Sequence, residues 1–440
     1  LDPQPNPLSS CDDNPVDGFT IFDLTQSDTA ALNGLDPTLY TVTYHNSQAD
    51  ANTGNAPITP AIAYNGFNGE IVYVRVEENA APTTFGTTSF ALTIRPTPSI
   101  ADVVQTICSG DTFTVTPTNT APNVVPTGTT YTWTVAAPAG ITGASDQATA
   151  QTSISQTLTN TTSTSLSAIY TVTASVGTAP NICTDTFDIT VTVNPKPSIA
   201  DVTQAICTGN TFTVTPTNTA PDVVPTGTTY TWTVTTPAGI TGASNQATAQ
   251  TSISQTLSNS TSNSIVVTYT VTASFGTAPN SCTDTFAINV TVNPEPQIAD
   301  VVQTICSGDT FTVTPTNTAP DVVPTGTTYT WTVTTPAGIT GASNQATAQT
   351  SISQTLSNST SNSIVVTYTV TASFGTAPNV CTDTFTIAVT VNPEPSIADV
   401  VQTICSGDTF TVTPTNTAPN VVPTGTTYTW TVAAPAGITG

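Results

Sequence analysis

The sequence predicts an all-β chain of tandem β-sandwich domains, and three observations predict it. A unit of 99 residues recurs from Pro98 onward, apolar residues alternate with threonine at period two, and turn-forming residues punctuate the alternation. The repeat is close to literal. Trp133, Trp232, Trp331 and Trp430 stand 99 apart, as do Cys108, Cys207, Cys306 and Cys405, and again Cys183, Cys282 and Cys381. Thr211–Asn280 is identical to Thr310–Asn379. Domains copied end to end contact mainly their neighbours, so such a chain is nearly one-dimensional. The expected domains are a divergent sandwich at 1–96 and full copies at 97–195, 196–294 and 295–393. Residues 394–440 are the front half of a further copy. A sandwich cut mid-fold cannot close its core, and the chain opens without Met or an apolar leader. The expectation is a segment of a longer, processed protein.

The strands follow from the alternation. In the first full copy, Phe113 and Val115 alternate with Thr112, Thr114 and Thr116. Tyr131, Trp133 and Val135 alternate with Thr132 and Thr134, and Tyr170 and Val172 with Thr171 and Thr173. Phe187, Ile189, Val191 and Val193 close the unit. Aromatic or β-branched residues alternating with threonine mark a strand with one buried face. Turns fall at Ser109-Gly110, Pro126-Thr127-Gly128, Pro138-Ala139-Gly140 and Gly177-Thr178-Ala179-Pro180. No useful window has helical periodicity. Strands are predicted near Ile100–Ile107, Thr112–Thr116, Thr129–Ala136, Thr152–Leu158, Ser167–Val176 and Asp185–Val193. About seven short strands per unit predict an immunoglobulin-like sandwich. Trp133, Trp232, Trp331 and Trp430 are the expected core centres. The copies meet at Arg95-Pro96-Thr97-Pro98, Asn194-Pro195-Lys196-Pro197, Asn293-Pro294-Glu295-Pro296 and Asn392-Pro393-Glu394-Pro395. Pro-x-Pro fixes φ twice and favours a stiff, extended connection, so the sandwiches are expected to form an extended rod.

Charge narrows the partners. There are 27 acidic residues against Arg75, Arg95 and Lys196, a net charge of −24. Nucleic acid is excluded, because neutralising phosphates takes many Lys and Arg. The same deficit argues against anionic lipid, and no apolar run approaches the ~18 residues of a membrane helix, so membrane insertion is not expected. Eight cysteines at fixed spacing, with one histidine and no CxxC, read as disulfides rather than zinc ligands. Disulfides persist in oxidising compartments, which places the chain outside the cell.

The copies resemble the PKD-like domains found in tandem in very large surface proteins of Flavobacterium-type Bacteroidetes. The likeness rests on Ile107–Asn119, Pro126–Val135 and Cys183–Pro195. Residues Cys11–Leu24, Tyr40–Gly54 and Val72–Glu77 resemble a second module of the same proteins. The resemblance implies a secreted cell-surface adhesin exported by the type IX system, with gliding motility as its setting. This segment would be its stalk, its partners being neighbouring repeats, with the surface or glycan ligand elsewhere in the protein. The copies lack the FGDG that follows the Trp in ordinary PKD domains, so the resemblance carries a fold and no ligand site. Competing expectations are a spacer array on a secreted carbohydrate-active enzyme or protease, and repeats that bind glycans themselves.

The cysteines admit two pairings. Within a copy, Cys108 would join Cys183. The predicted strands argue otherwise: Cys108 lies at the turn after the first strand, where the last strand exits, and Cys183 lies just after the final hairpin turn, at the opposite end. That separation is on the order of 25–30 Å, whereas a disulfide needs Cα atoms within about 7 Å. The favoured pairing therefore crosses between neighbours: Cys11–Cys183, Cys108–Cys282 and Cys207–Cys381, with Cys306 and Cys405 pairing beyond this chain. Cys11 also gains a partner only this way, because residues 77–90 contain no cysteine.

Other signals are weaker. No GxSxG, HExxH or P-loop is present, no base stands near a Ser or Cys nucleophile, and neither catalysis nor a cofactor is expected. His45 reads as an exposed residue at a strand end. Asp12, Asp13, Asn14 and Asp17 resemble a calcium loop in composition but depart from its spacing, so no metal is assigned. Asn210 replaces the acid found at Asp111, Asp309 and Asp408, which weakens a metal there. Asp-Thr-apolar triplets make Thr29, Thr186, Thr285 and Thr384 candidates for O-glycosylation, on their likeness to the Bacteroidetes pattern.

Overall fold

A computed structural model of the chain describes residues 1–12, 17–179 and 181–439. It divides into two compact units, Leu1–Ser198 with Thr217–Thr228 and Ser274–Asp284, and Ile199–Pro216 with Thr229–Ala273 and Thr285–Gly440.

The first unit opens with strands β1 (Leu8–Cys11) and β2 (Phe19–Phe22), helix α1 (Asp28–Leu32), β3 (Tyr40–His45) and helix α2 (Gln48–Thr53). Strands β4 (Tyr64–Phe67), β5 (Ile71–Glu78) and β6 (Ala81–Arg95) complete it. One sheet runs β1-β6-β5-β3 and the other pairs β2 with β4, around a core of Phe22, Leu24, Tyr44, Val74, Phe90 and Leu92. The two helices have five and six residues, too short to leave a periodic signal. Helix α2 is set by its ends. Ser47 Oγ accepts from Asp50 N at 3.1 Å, and Gly54 closes the last turn at φ 70°. The Arg75 guanidinium donates to Ala51 O and Asn52 O at 3.0 and 3.1 Å, a cation at a helix C-terminus. His45 is not exposed. It is fully buried, Nδ1 2.8 Å from Asn55 O and Nε2 2.9 Å from Thr43 Oγ1. The chain after α2 folds back over β3, with Ile58 N donating to Tyr44 O at 2.7 Å.

The first full copy is a sandwich of β7 (Val103–Cys108), β8 (Thr112–Val115), β9 (Thr130–Ala136), β10 (Ile141–Thr142), β11 (Gln147–Gln151), β12 (Ile154–Thr157), β13 (Thr159–Asn160), β14 (Leu166–Thr178) and β15 (Asn181–Asn194). One face is the five-stranded sheet β11-β9-β14-β15-β7; β12 pairs with β8 and β10 with β13 opposite it. The alternation is visible in burial: in β14 Ala168, Tyr170, Val172 and Ala174 face inward and are fully buried. Phe113 tilts against Tyr170 at 5.0 Å, and Tyr131 meets Phe187 edge-on at 6.4 Å. Each such side chain contributes about 1.5–3 kcal/mol by leaving water. Trp133 is 6% exposed, and its Nε1 donates to Ser145 O at 3.1 Å. Gln156 accepts from Ser145 N and from the Tyr170 hydroxyl, tying a loop to the core.

In the second unit the third copy repeats this order, from Val301–Cys306 through Cys381–Asn392, Ile364–Phe374 and Thr328–Val333 to Gln345–Gln349. Its core holds Phe311, Tyr329, Trp331, Tyr368 and Phe385. The second copy has the same strand order and buries Trp232 at 5% exposure. Residues 394–439 form no strands, and Trp430, expected in a core, is 82% exposed. The strands that flank Trp133 in its sheet, β14 and β11, have no counterpart in 394–439.

Candidate functional site at the junctions

Every full copy pairs its first strand in parallel with its last. Ile189–Asn194 of β15 lie opposite Val103–Cys108 of β7, so Asn194 faces Cys108. Cys183 sits eleven residues back along β15, opposite Val176 in the hairpin. At ~3.3 Å per residue that is on the order of 36 Å, far beyond disulfide reach. Residues Leu8–Cys11 run parallel to Leu92–Arg95 in the first domain, and the other two full copies repeat the register with Cys207 opposite Asn293 and Cys306 opposite Asn392. The first-strand cysteine is thus held at one end of a sandwich and the last-strand cysteine at the other.

Local hydrogen bonds hold the turn that carries the first cysteine. Cys108 N donates to Asp111 Oδ2 at 3.2 Å, and Ser109 N to Asn194 O at 2.8 Å. Ser109 Oγ exchanges bonds with the backbone of Asn160, which is 6% exposed. The Asn160 amide donates to Thr164 O and Val193 O at 2.7 and 2.8 Å, joining this turn to the end of β15. Asn259 and Asn358 do the same in the later copies. The recurring acid at Asp111, Asp309 and Asp408 therefore sets a turn, bonding the amide of Cys108, Cys306 or Cys405. Its place three residues after each cysteine was the sequence signal for this role. The asparagines left no comparable signal, because the partner that ties them to the last strand, such as Val193 O for Asn160, lies 33 residues further on.

The structure brings Cys11 to Cys183, Cys108 to Cys282 and Cys207 to Cys381, each as a disulfide, with Cα atoms 5.5, 5.5 and 5.6 Å apart. Cys183, Cys282 and Cys381 are buried, whereas Cys306 and Cys405 are free and exposed. Polar contacts accompany the bonds. Between the first domain and first copy, Arg95 Nη1 donates to Asn181 O at 3.2 Å and Asn181 Nδ2 to Ser9 Oγ at 3.0 Å. Thr97 Oγ1 donates to Asp12 O at 2.6 Å. Asn218 donates to Ser163 at 3.0 Å, and Asn317 repeats this with Ser262 at 2.9 Å. The prolines of Pro195-Lys196-Pro197 and Pro294-Glu295-Pro296 are buried while the residue between them is exposed. Lys196 stands 3.8 Å from Asp284 at the surface, an exposed pair worth at most about 1 kcal/mol.

Of the remaining candidates, Asp12 reaches the first junction through its carbonyl, which accepts from Thr97. Asp12 is 7% exposed and its Oδ2 accepts from Gly18 N at 3.2 Å; Asp17 accepts from Phe19 N. Asp13 and Asn14 lie outside the described residues. Among the described residues, no three His, Cys, Asp or Glu side chains cluster to hold a metal ion. Thr29, Thr186, Thr285 and Thr384 are all exposed. No helix among the described residues is long and apolar enough to cross a membrane.

Sandwich copies joined end to end by disulfides define a tandem structural repeat array. Residues 105–197, 204–296 and 303–395 match the PKD-like domain, and residues 7–98 match the Flavobacterium inter-domain disulphide bond domain. The chain belongs to the PKD-like domain family. No curated protein matches it. Among solved structures it is similar to an I-band fragment of titin, at 12% identity and TM-score 0.29 over 68% of this chain and 96% of that one. It is similar to extracellular cadherin domains of a gamma protocadherin, at 9% identity and TM-score 0.23 over 88% and 100%. The three N-terminal domains of a bacteriophage Highly Immunogenic Outer Capsid protein match at 10% identity and TM-score 0.30 over 66% and 96%. The repeats are structural domains, and their disulfides suit an extracellular or secreted setting.

Proposed function

We propose that this chain is a stalk segment of a secreted, surface-attached adhesin, holding a distal binding region away from the cell and carrying tension. Its domains are 1–96, 97–195, 196–294 and 295–393, with 394–440 the front of a further copy. The observation that carries the reading is the cysteine pairing, which joins each of the four domains of 1–393 to the next and is set out at those three junctions by the same two positions. A chain that needed only to space out catalytic or binding domains could do so with its stiff Pro-x-Pro linkers alone; repeated covalent junctions serve a chain that is pulled. Adhesion and gliding motility, with export by the type IX system, are the setting for such a stalk. Electron micrographs of the full-length protein test the proposal. A long thin fibre anchored at one end of the cell-surface protein is the expected image. A globule, or a catalytic domain carried on the array, would replace the stalk with a spacer. Glycan binding by an isolated repeat would move the ligand site into the array.

A further inference from the structure

The disulfides and the Pro-x-Pro linkers together make two covalent routes through the array, and they alternate. A linker joins the last strand of one copy to the first strand of the next. A disulfide joins the first strand of one copy to the last strand of the next. One route enters at Cys11–Cys183, follows β15 and the linker to Cys207, crosses to Cys381 and continues to Cys405. The other crosses at Cys108–Cys282 and continues through the next linker to Cys306. We infer that tension along the chain runs through these two interleaved routes and bypasses most of each sandwich core.

Covalent distance carries the argument. Along the backbone 394 residues separate Cys11 from Cys405. Along the first route only two segments of 24 residues count, Cys183 to Cys207 and Cys381 to Cys405, or 48 in all. Much of each segment is already extended. Residues 183–194 lie in β15 and Val202–Cys207 is a strand, leaving residues 195–201 as slack, two of them proline. Strand residues rise ~3.3 Å each, close to the ~3.3–3.6 Å limit of a stretched chain. Pulling therefore gains little length, and the 74 residues between Cys108 and Cys183, which hold most of the core, are off the route.

The routes also support each other sideways. In the second copy, the first strand belongs to one route and the last strand to the other, and they pair in parallel over six residues, Val202–Cys207 against Ile288–Asn293. The first and third copies pair the same two strands over six residues each. Parallel ladders have evenly spaced bonds. A pull along the strands loads all of them together instead of opening them one at a time.

The use of this device by a cell rests on the tension-carrying reading above; the routes themselves do not. Single-molecule stretching of the whole chain, held at its two ends with Cys306 and Cys405 alkylated, tests them. Non-reducing peptide mapping first establishes the pairing; Ile182, Ser281 and Val380 precede the three last-strand cysteines and tell their peptides apart. In the oxidised chain no long step is expected. After reduction each full copy gives a step on the order of 300 Å, from 99 residues at ~3.3–3.6 Å each. Cys108→Ser and Cys207→Ser each remove one disulfide, yet they differ. Cys108→Ser leaves the 48-residue route whole and gives no long step. Cys207→Ser lengthens the shortest route to 198 residues, a release of about 500 Å. Comparing two single-disulfide variants separates loss of a route from general loss of folding. Steps near 300 Å in the oxidised chain with mapped pairings, or equal release from the two variants, would overturn the inference. Recovery of a Cys108–Cys183 peptide would overturn the pairing itself. A fibre that fails to appear in micrographs would instead remove the stalk, and leave the routes standing.

Discussion

Residues 98–143 and 395–440 have the same sequence and different structures. In the first, β7, β8 and β9 form and Phe113, Tyr131 and Trp133 are 1, 2 and 6% exposed. In the second, no strand forms among the described residues, and Phe410, Tyr428 and Trp430 are 64, 46 and 82% exposed. Yet their turns agree. Ser396 pairs with Val421 as Ser99 does with Val124. Cys405 N donates to Asp408 and Val422 N to Asn416, as Cys108 does to Asp111 and Val125 to Asn119. Turn chemistry is therefore local to this sequence, while the sheet is a property of the whole copy. In the closed copy β9 gains its neighbour β14, and β7 its only sheet neighbour, β15, from the missing half.

The largest test of that contrast is to truncate the same tryptophan in both settings. Trp331→Ala removes a ring from a closed core and should cost ~3–5 kcal/mol, lowering one calorimetric transition of the array. Trp430→Ala removes an exposed ring and should leave the profile unchanged. If both lower it equally, the front half holds a core of its own. Next in size is Asn358→Ala. Its buried amide donates to Asn362 O at 2.8 Å and Val391 O at 2.9 Å, and it belongs to the half that 394–439 lacks. Loss should cost about 1–3 kcal/mol, because two buried carbonyls lose a donor. Hydrogen exchange should quicken at the Ser307 turn, which that residue holds, and stay unchanged at the Ser406 turn.

The same division explains what could be read from the sequence. Strand alternation, the turns and the ends at which the cysteines lie follow from neighbours within a few residues. Phe113, Tyr131 and Tyr170 accordingly stand where the alternation put them. Trp430 fails for want of a partner about 40 residues further on. The burial of His45 depended on Asn55, ten residues away across a helix too short to show a period. The parallel pairing of β7 with β15 joins residues 86 apart, and no local pattern announces it. That pairing nevertheless fixes which end of the sandwich each cysteine occupies. The junction was legible because end-to-end position needs only strand order, whereas its polar contacts, such as Asn218 to Ser163, needed the neighbouring copy in place.

The smallest effect is one of pH, and it arises only where a copy has closed. Tyr170, Tyr269 and Tyr368 are fully buried, and burial pushes each phenol up to about 12 from its ordinary 10.0. Each hydroxyl donates to a glutamine, Gln156, Gln255 or Gln354, at 2.8–2.9 Å. These tyrosines lie in the half that residues 394–439 lack. In an unfolded copy the phenol gives up its proton near pH 10, while in a folded one it keeps it. The stabilisation is therefore complete below pH 10 and is lost as pH rises through about 12, because ionisation increasingly favours the open chain. Tyrosinate absorbance of the native array should show these three phenols ionising late, alongside Tyr44, Tyr64, Tyr131, Tyr230 and Tyr329, which burial also raises, together with a melting temperature that declines across the same window. Replacing Tyr170, Tyr269 and Tyr368 with Phe should shrink the late phase by three phenols and lessen that decline. A decline that persists unchanged would show that these three phenols do not set the alkaline limit of the closed copies.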